Sequence, residues 1–502
     1  MFRFRQLKVV MVIVSLLLLC VLLSVKSEAK WSDEVRTIIA GNRPRFEREL
    51  DLDQLREKFA AYLYPFDSFS SEPVLKLEAL EAVSPALRLS RQQALEDVEY
   101  LFSLLKYGYV GYQYFGGDER FLAARDLMIE RLVDRSHEFS TFWFFELLCQ
   151  HLDFINDGHF SIENYTFRHG HSMWMDFTLD FFRDEHGYYR EDGEGREYVE
   201  TVNGEVPDGY FWPALNSAGE VVYRIGKLEA DHVESDDFEL MELILRSGQA
   251  QRQDYAVLEQ ASGRGVHGQG YERFFQDGIP IISLKDFPDS PEMEQFVLDA
   301  SELKHEDMLV IDLRGNRGGY GGHLGQWLDV FTDGAYTVGP YFRAVLATKT
   351  ASDLLLHSYP LLLTDFTGGE MREPYICLET GWSEIFTHTT LEETPNPVKI
   401  VVLMDSDTVS AGEAFVEVLR HMENVVFLGT NTAGVYLTGN PVHAVLPNSG
   451  LALFFGTTLT LTMDSSGFID REGIGFMPDF WVQPGDALET ALGFIRKHHG
   501  FQ

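Results

Sequence analysis

The chain has 502 residues, of which 45% are hydrophobic and 13% aromatic, and its formal net charge is −37. This length and hydrophobic content suffice for two or three domains with buried cores, and the aromatic content excludes a disordered chain. The negative charge disfavours nucleic acid and anionic membrane surfaces as partners, so we expect no nucleic-acid binding.

The first 29 residues are typical of an export signal. Basic residues in MFRFRQLK precede an apolar run over residues 9–25, and Ser27 and Ala29 supply small residues after it. The pattern predicts a signal peptide cleaved after Ala29, although the run is also at the lower limit of length for a membrane-spanning helix. We expect an extracytoplasmic protein that is secreted or anchored to the membrane through an uncleaved residue 9–25 helix.

Residues 30–165 predict a helical N-terminal domain. The stretch LSRQQALEDVEYLFSLLKYGYVG begins with Ser90 and Gln93 in capping-box spacing and continues with apolar residues at helical period. Two further amphipathic segments follow, GGDERFLAARDLMIERLVDR and STFWFFELLCQHLDFI, and the turn sequence NDGH ends the last. The two cysteines after the leader, Cys149 and Cys377, stand in apolar surroundings, which favours buried free thiols but leaves a disulfide open.

The rest of the chain changes pattern near residue 276. Residues 166–275 alternate short apolar runs with Gly, Asp and Asn, and an Asn-Gly pair in REYVETVNGEVPDGYFW predicts a turn between strands, so we expect a small β-rich middle domain. Residues 276–502 alternate buried strands such as DMLVIDLRG and VKIVVLMD with helices such as AGEAFVEVLRHM. This alternation predicts an α/β fold with a mostly parallel sheet.

Ser410 stands where the strand VKIVVLMD gives way to the helix AGEAFVEVLRHM. Its hydroxyl is expected near unpaired backbone N–H groups at the positive end of the helix dipole. The N–H of Ala411 would point where an oxyanion forms if Ser410 attacked a carbonyl. Serine is also a favoured N-cap residue, so residue type alone favours a capping role.

Two other stretches could contribute to the same chemistry. The glycine-rich VIDLRGNRGGYGGH lacks a phosphate-binding lysine pattern, but its exposed N–H groups at Gly318 or Gly319 could supply a second oxyanion donor; a simple strand-to-helix turn is the alternative. His159, predicted to lie on a turn after a helix in INDGHFSIE, could act as a general base because its pKa is near working pH. No metal-ligand spacing of Cys and His is present, and no cofactor is implied.

Several motifs in the same order make the C-terminal half resemble the tail-specific, or C-terminal processing, serine peptidases. These motifs are LVIDLRGNRGG, the nucleophile segment KIVVLMDSDTVSAGEAFVEVLRHMENVVFLGTNTAG, and the closing LPNSGLAL, DREGIGFMPDFWV and DALETALGFI. The resemblance spans residues 276–496 and, more loosely, residues 90–165, where DGHFSI matches the helical domain of many members. It implies a crotonase-like (ClpP/crotonase-type) α/β catalytic core and hydrolysis of protein or peptide substrates.

One departure from the family pattern indicates a branch. Bacterial members place a lysine base in GTxTxGK, whereas GTNTAGVYLTG has Val435 at that position. The tricorn-like branch uses serine, histidine and a glutamate seven residues before the aspartate of a Pro-Asp pair. Glu472 has that spacing to Pro478–Asp479, and His159 matches the position of the histidine base.

The resemblance therefore implies a serine endopeptidase that works by acyl-enzyme chemistry. Its expected parts are the nucleophile Ser410, the base His159 ahead of its rivals His323 and His443, the orienting Glu472, and oxyanion donors from Ala411 and from Gly318 or Gly319. Asp312 and Arg314 are expected to tie the strand end to the loop, and Asp157 to cap the turn before His159.

Two points stay open at the level of sequence. The middle region falls where many relatives carry a PDZ domain, and YVETVNGEVPDG resembles one of its strands, but a Gly-Leu-Gly-Phe carboxylate-binding loop is missing. A catalytically inactive ligand- or peptide-binding protein on the same scaffold is the alternative function, because a fold does not dictate an activity. An acyl-CoA enzyme of the wider superfamily fits poorly, since it would not explain the serine or the export signal.

Overall fold

A computed structural model describes residues 30–43, 51–66, 72, 86–135, 138–193, 195–230, 238–261, 270–359, 380–383, 386–388, 393–464 and 467–499. The predicted leader and Cys377 lie outside these residues. Cys149 forms no disulfide with any described residue. Within the described ranges, no helix combines the length and the apolar character needed to cross a bilayer.

The described helices include those predicted from periodicity. Their bounds are α1 Asp33–Asn42, α2 Leu52–Ala60, α3 Arg91–Gly108, α4 Gly117–Val133, α5 Thr141–Leu152, α6 Pro291–Leu303, α7 Gly322–Phe331, α8 Lys349–Ser358, α9 Ala411–Arg420 and α10 Ala487–His499. The predicted capping box at the start of α3 is confirmed, because Ser90 and Gln93 exchange side-chain to backbone hydrogen bonds.

The strands form one long sheet and three short ones. Their bounds are β1 Arg88–Leu89, β2 Phe139–Ser140, β3 Asp157–Ile162, β4 Tyr165–Phe167, β5 His171–Met175, β6 Phe182–Asp184, β7 Gly187–Glu191, β8 Arg196–Val202, β9 Phe211–Leu215, β10 Val221–Ala230, β11 Glu239–Ser247, β12 Ala250–Gln260, β13 Tyr271–Gln276, β14 Ile279–Leu284, β15 Met308–Asp312, β16 Tyr341–Val345, β17 Phe386–His388, β18 Lys399–Met404, β19 Val425–Gly429, β20 Thr438–Gly439, β21 Val442–Val445, β22 Ala452–Phe455, β23 Thr458–Asp464, β24 Gly467–Ile469 and β25 Phe480–Trp481. The long sheet has the order β13-β14-β15-β18-β19-β25-β9-β10-β5-β12-β11-β8-β7-β6.

A parallel sheet forms the core of the C-terminal half, which confirms the predicted α/β fold. Strands β14, β15, β18, β19 and β25 pair in parallel. Successive residues of β15 face opposite sides: Leu309 and Ile311 pack with α6, α7 and α9, whereas Val310 packs with α10 and the residues around α1. Burial on both faces explains why these strands are continuous apolar runs.

The strands of the middle region continue this sheet. Strand β9 pairs with β25 in parallel, and the antiparallel strands β10, β5, β12, β11, β8, β7 and β6 extend it. The predicted Asn-Gly turn is present: Asn203 and Gly204 have φ of 50° and 79°, and the Glu205 N–H donates to the Val202 carbonyl. The order of strands in the long sheet does not separate the middle region from the C-terminal half. The domain boundaries at residues 165 and 275 remain a prediction.

A short sheet joins the N-terminal helical region to the C-terminal half of the chain. Strand β3 pairs on one side with β4 and on the other with β22, which in turn pairs with β21. Leu453 lies opposite Ile162, and Phe454 lies opposite Ser161. This pairing fixes β3, which begins at Asp157, beside the C-terminal half of the chain.

Candidate active site

Ser410 lies at the N-cap position of α9, six residues after β18 ends. Its φ of 53° is in the left-handed region, which costs a serine about 1–3 kcal/mol and persists only when neighbouring contacts impose it. The Gly-rich loop provides one such contact, because a Cβ at Gly318 would lie 2.9 Å from the Ser410 Cβ. Tight packing against Gly318 thus holds Ser410 in this strained conformation at the N-terminus of α9.

His159 lies next to this hydroxyl although 251 residues separate the two in sequence. Its Nε2 is 3.0 Å from Ser410 Oγ, within hydrogen-bonding distance. The prediction that His159 lies on a turn is wrong, since it is the third residue of β3. The turn ends earlier: β4 pairs with residues 157, 161 and 162 of β3, and the distant β22 pairs with residues 161 and 162.

The imidazole is suited to accept a proton. His159 is only 7% exposed, and this burial lowers its pKa, while the charge of Asp157 and the Thr438 backbone act in the opposite direction. A neutral ring at neutral pH has a lone pair free for the serine proton. Nδ1 makes no well-aligned hydrogen bond within the described part of the chain.

Glu472 is buried and makes no hydrogen bond with the His159 ring. Its Oε1 accepts the N–H of Gly158 at 2.6 Å, and its Oε2 accepts those of Tyr436 at 3.0 Å and Leu437 at 2.8 Å. Burial and then the nearby charge of Asp157 raise its pKa well above the usual value, and the three N–H donors oppose that rise. The hydrogen-bonded connection from Glu472 to His159 therefore runs through the Gly158 backbone and not through the ring.

Asp157 is the carboxylate nearest in chain to the base. Its predicted role as a turn cap is wrong, since Asp157 is the first residue of β3, where it accepts the N–H of His159 at 2.8 Å. It also accepts the hydroxyl of Tyr109 at 2.8 Å and that of Thr438 at 3.0 Å, contacts that the sequence did not indicate. Burial raises the pKa of Asp157, whereas the His159 charge and these hydrogen bonds lower it.

The predicted oxyanion donors separate into two groups. The N–H of Gly318 donates to Asn316 Oδ1 at 2.9 Å, so it is already engaged. Gly319 is exposed, and its N–H takes no part in the bridge that its neighbours make with Phe287. Ala411 is the first residue of α9, where the helix supplies no acceptor for its N–H. Ala411 and Gly319 are thus the available pair.

A buried ion pair supports the Gly-rich loop, as expected for Asp312 and Arg314. The Arg314 guanidinium binds the carboxylate of Asp312 through Nε at 2.9 Å and Nη2 at 2.8 Å. Lys285, which sequence reasoning missed, donates to the Arg314 carbonyl at 2.8 Å. Asp405, at the end of β18, accepts the N–H of Gly315 at 2.9 Å. These bonds join the ends of β14, β15 and β18.

Glu413 is a second residue that sequence reasoning missed. It is the third residue of α9 and is fully buried, and it accepts the N–H of Ser410 at 3.1 Å. The signal was present, since SAGE places serine and glutamate in capping-box spacing. The expected rivals of His159 lie elsewhere: His323 is near Asp289 at 3.8 Å, and His443 packs on Phe454 with ring centroids 4.8 Å apart.

A comparison with known proteins matches the part of the chain that contains Ser410, Glu472 and the Gly-rich loop, whereas His159 lies outside the matched residues. Residues 278–482 match the model of peptidase family S41. Similar solved structures include mature CPAF (15% identity, TM-score 0.42, covering 82% of this chain and 96% of that one) and a putative peptidase from Parabacteroides merdae (14%, 0.40, 82% and 99%). The photosystem II D1 C-terminal processing protease is similar at 14% identity and a TM-score of 0.34, covering 79% of this chain and 93% of that one.

No curated protein matches the sequence, and the distant structures assign no residue roles. The family model, which spans the parallel sheet, the Gly-rich loop and α9, carries the assignment. The match of residues 278–482 to peptidase family S41 supports a serine peptidase that acts on protein or peptide substrates.

Proposed function

We propose that the protein is an endopeptidase in which Ser410 is the nucleophile and His159 the general base. The observation that carries the proposal is the 3.0 Å separation of Ser410 Oγ and His159 Nε2. Ser410 Oγ attacks the substrate carbonyl carbon while its proton passes to His159 Nε2. The same proton then goes to the leaving amine as the C–N bond breaks, which leaves an acyl-enzyme. A water molecule, deprotonated in turn by His159, hydrolyses the ester and frees Ser410.

The N–H groups of Ala411 and Gly319 would stabilise the oxyanion of the two tetrahedral intermediates. Ala411 directly follows the nucleophile, Gly319 follows the Gly318 that packs on Ser410, and neither N–H is engaged in the hydrogen bonds described above. Loss of one such donor typically raises the barrier by about 3 kcal/mol. Gly318, which the sequence offered as an alternative, is better assigned to packing, since its N–H binds Asn316.

Glu472 would orient the base through the main chain. Its hydrogen bond to the Gly158 N–H fixes the residue that precedes His159. Its bonds to the N–H groups of Tyr436 and Leu437 fix the segment that follows Val435. The role is that of a positioning residue, since the carboxylate makes no hydrogen bond with the imidazole.

We also propose that residues 1–29 export the chain, with residues 9–25 as signal-peptide core or membrane anchor. The support is the basic, apolar and small-residue order of that segment. Fractionation of cells expressing the full chain, with N-terminal sequencing of the product, tests this. Recovery of the intact chain in the cytoplasmic fraction would contradict it.

Hydrolysis of an unfolded protein tests the assignment of Ser410. Ser410→Ala is compared with Ser140→Ala, because Ser140 caps α5 by accepting the Trp143 N–H at 3.2 Å. Loss of this cap costs Ser140→Ala about 1 kcal/mol of stability. We expect only Ser410→Ala to lose hydrolysis, by at least about 10³-fold. Equal activity of the two variants would leave Ser410 as a cap and refute the proposal.

The base is tested in the same assay. His159→Ala should lose activity by a similar factor, whereas His443→Ala, which removes a ring packed on the same Phe454 side chain, should retain it. Thermal unfolding of both variants is the control for folding. Full activity of His159→Ala would refute its role.

A further inference from the structure

Three carboxylates from other parts of the chain accept hydrogen bonds from residues 432–438. This is the stretch in which Val435 stands at the position of the family lysine. Glu413 binds Thr432, Gly434 and Val435; Glu472 binds Tyr436 and Leu437; and Asp157 binds Thr438. All three carboxylates are buried, so each must accept hydrogen bonds to remain stable there. The segment therefore contacts the surroundings of both Ser410 and His159.

Glu413 has the most complete set of contacts. Oε2 accepts the N–H groups of Ser410 at 3.1 Å and Val435 at 2.8 Å, and Oε1 accepts the Gly434 N–H at 2.8 Å and the Thr432 hydroxyl at 2.7 Å. Three of these donors are backbone N–H groups, which cannot accept a hydrogen bond. An amide at residue 413 would turn an NH₂ group toward such donors, so glutamine cannot replace the carboxylate.

These contacts connect Ser410 to His159 through Glu413, Val435 and Gly158. Glu413 holds the N–H of Ser410, whose left-handed backbone needs external support. It also holds the N–H of Val435, whose side chain packs on Gly158 so closely that a Cβ there would lie 2.5 Å from Cγ2. Gly158 directly precedes His159. A shift of Glu413 would thus move the two reacting side chains relative to each other.

We propose that Glu413 is a positioning residue for peptide hydrolysis, holding residues 432–438 against α9 and so setting the separation of Ser410 and His159. The inference rests on the proposed roles of these two residues. It assigns to the segment that lacks the family lysine a mechanical role in place of a chemical one. Glu413 itself exchanges no proton and forms no bond with substrate.

Glu413→Gln tests the inference, and the chain offers a closely matched control. Asp176 is a buried carboxylate of the middle region that also binds three backbone N–H groups, of Thr178, Leu179 and Val257, and one threonine hydroxyl. We expect Glu413→Gln to lower kcat about 100-fold, as for a misplacement of about 1 Å, with KM within about twofold. Asp176→Asn should lose thermal stability to a similar extent and keep its kcat.

A kcat of folded Glu413→Gln equal to that of wild type would overturn the inference, as would an equal loss of kcat in Asp176→Asn. If Glu413→Gln does not fold, Thr432→Val decides, since it removes one donor to the same carboxylate and nearly preserves shape. A fall in its kcat at constant KM supports the inference, and an unchanged kcat overturns it. Ser410→Ala separates the two levels: if that variant is inactive while Glu413→Gln is fully active, only the positioning role fails.

Discussion

The substitution Gly158→Ala tests whether the contact between Gly158 and Val435 determines the position of His159. The backbone of Gly158 has an ordinary φ, so alanine is strained there only by its neighbours. Its Cβ would lie 2.5 Å from Val435 Cγ2 and 2.7 Å from Cγ1, roughly 1 Å inside normal contact distance. Val435 is buried and stiff at χ1, so the strand carrying His159 must move instead. A displacement of about 1 Å costs about 100-fold in rate, or about 2.7 kcal/mol.

The assay is kcat/KM on a peptide substrate, with thermal unfolding as a measure of the accompanying overpacking. Val435→Ala removes the two closest atoms and leaves the Val435 Cβ at 3.0 Å, so the double variant should recover at least about tenfold of the loss. Full activity of Gly158→Ala, or a double variant no better than the single one, would refute this account of how His159 is held.

Three further predictions concern charge. Asp157 favours the imidazolium form of His159, so Asp157→Asn should lower the pKa of His159 and move the acidic limb of the kcat/KM profile to lower pH; a limb that does not move, or moves upward, would contradict this. Burial raises the pKa of Asp405 to about 6, so the folded state holds this proton more tightly than the unfolded state. The resulting stability is complete below about pH 4 and is lost as the pH rises through 6, and urea unfolding at pH 4 and 7 should show a smaller loss in Asp405→Asn than in wild type. Arg43→Ala leaves the buried Asp479 without its ion-pair partner and should lower the free energy of unfolding by about 3 kcal/mol, against less than about 0.5 kcal/mol for the exposed Arg36→Ala.

The sequence predicted those elements whose formation depends on residues close together in the chain. The apolar runs of β15 and β18, the capping box at Ser90 and the seam at Ser410 all depend on neighbours within a few residues. The family motifs then placed His159 and Glu472 near Ser410, and the geometry brings Ser410 and His159 within 3.0 Å. Their catalytic roles stay predictions until variants are measured.

Contacts between distant segments could not be predicted in this way. The strand of His159 pairs locally with β4 and also with the distant β22 at residues 161 and 162, and no local pattern near NDGH indicates the second pairing. Glu472 binds backbone N–H groups, which every residue type except proline provides, so its partners cannot be identified from the sequence. The sequence predicted only a local contact for Asp157, whereas its bonds to Tyr109 and Thr438 span 48 and 281 residues. Buried carboxylates that bind backbone are therefore where sequence reasoning was least complete.

The most direct test of the central claim is to locate the covalent adduct of a fluorophosphonate probe. Wild-type protein is treated with the probe, digested, and its peptides are mapped by mass spectrometry, with His159→Ala treated in parallel. We predict a single adduct on Ser410 in the wild type and labelling slowed by at least about 10³-fold in His159→Ala. An adduct on another residue, or equally fast labelling of Ser410 without His159, would contradict the account.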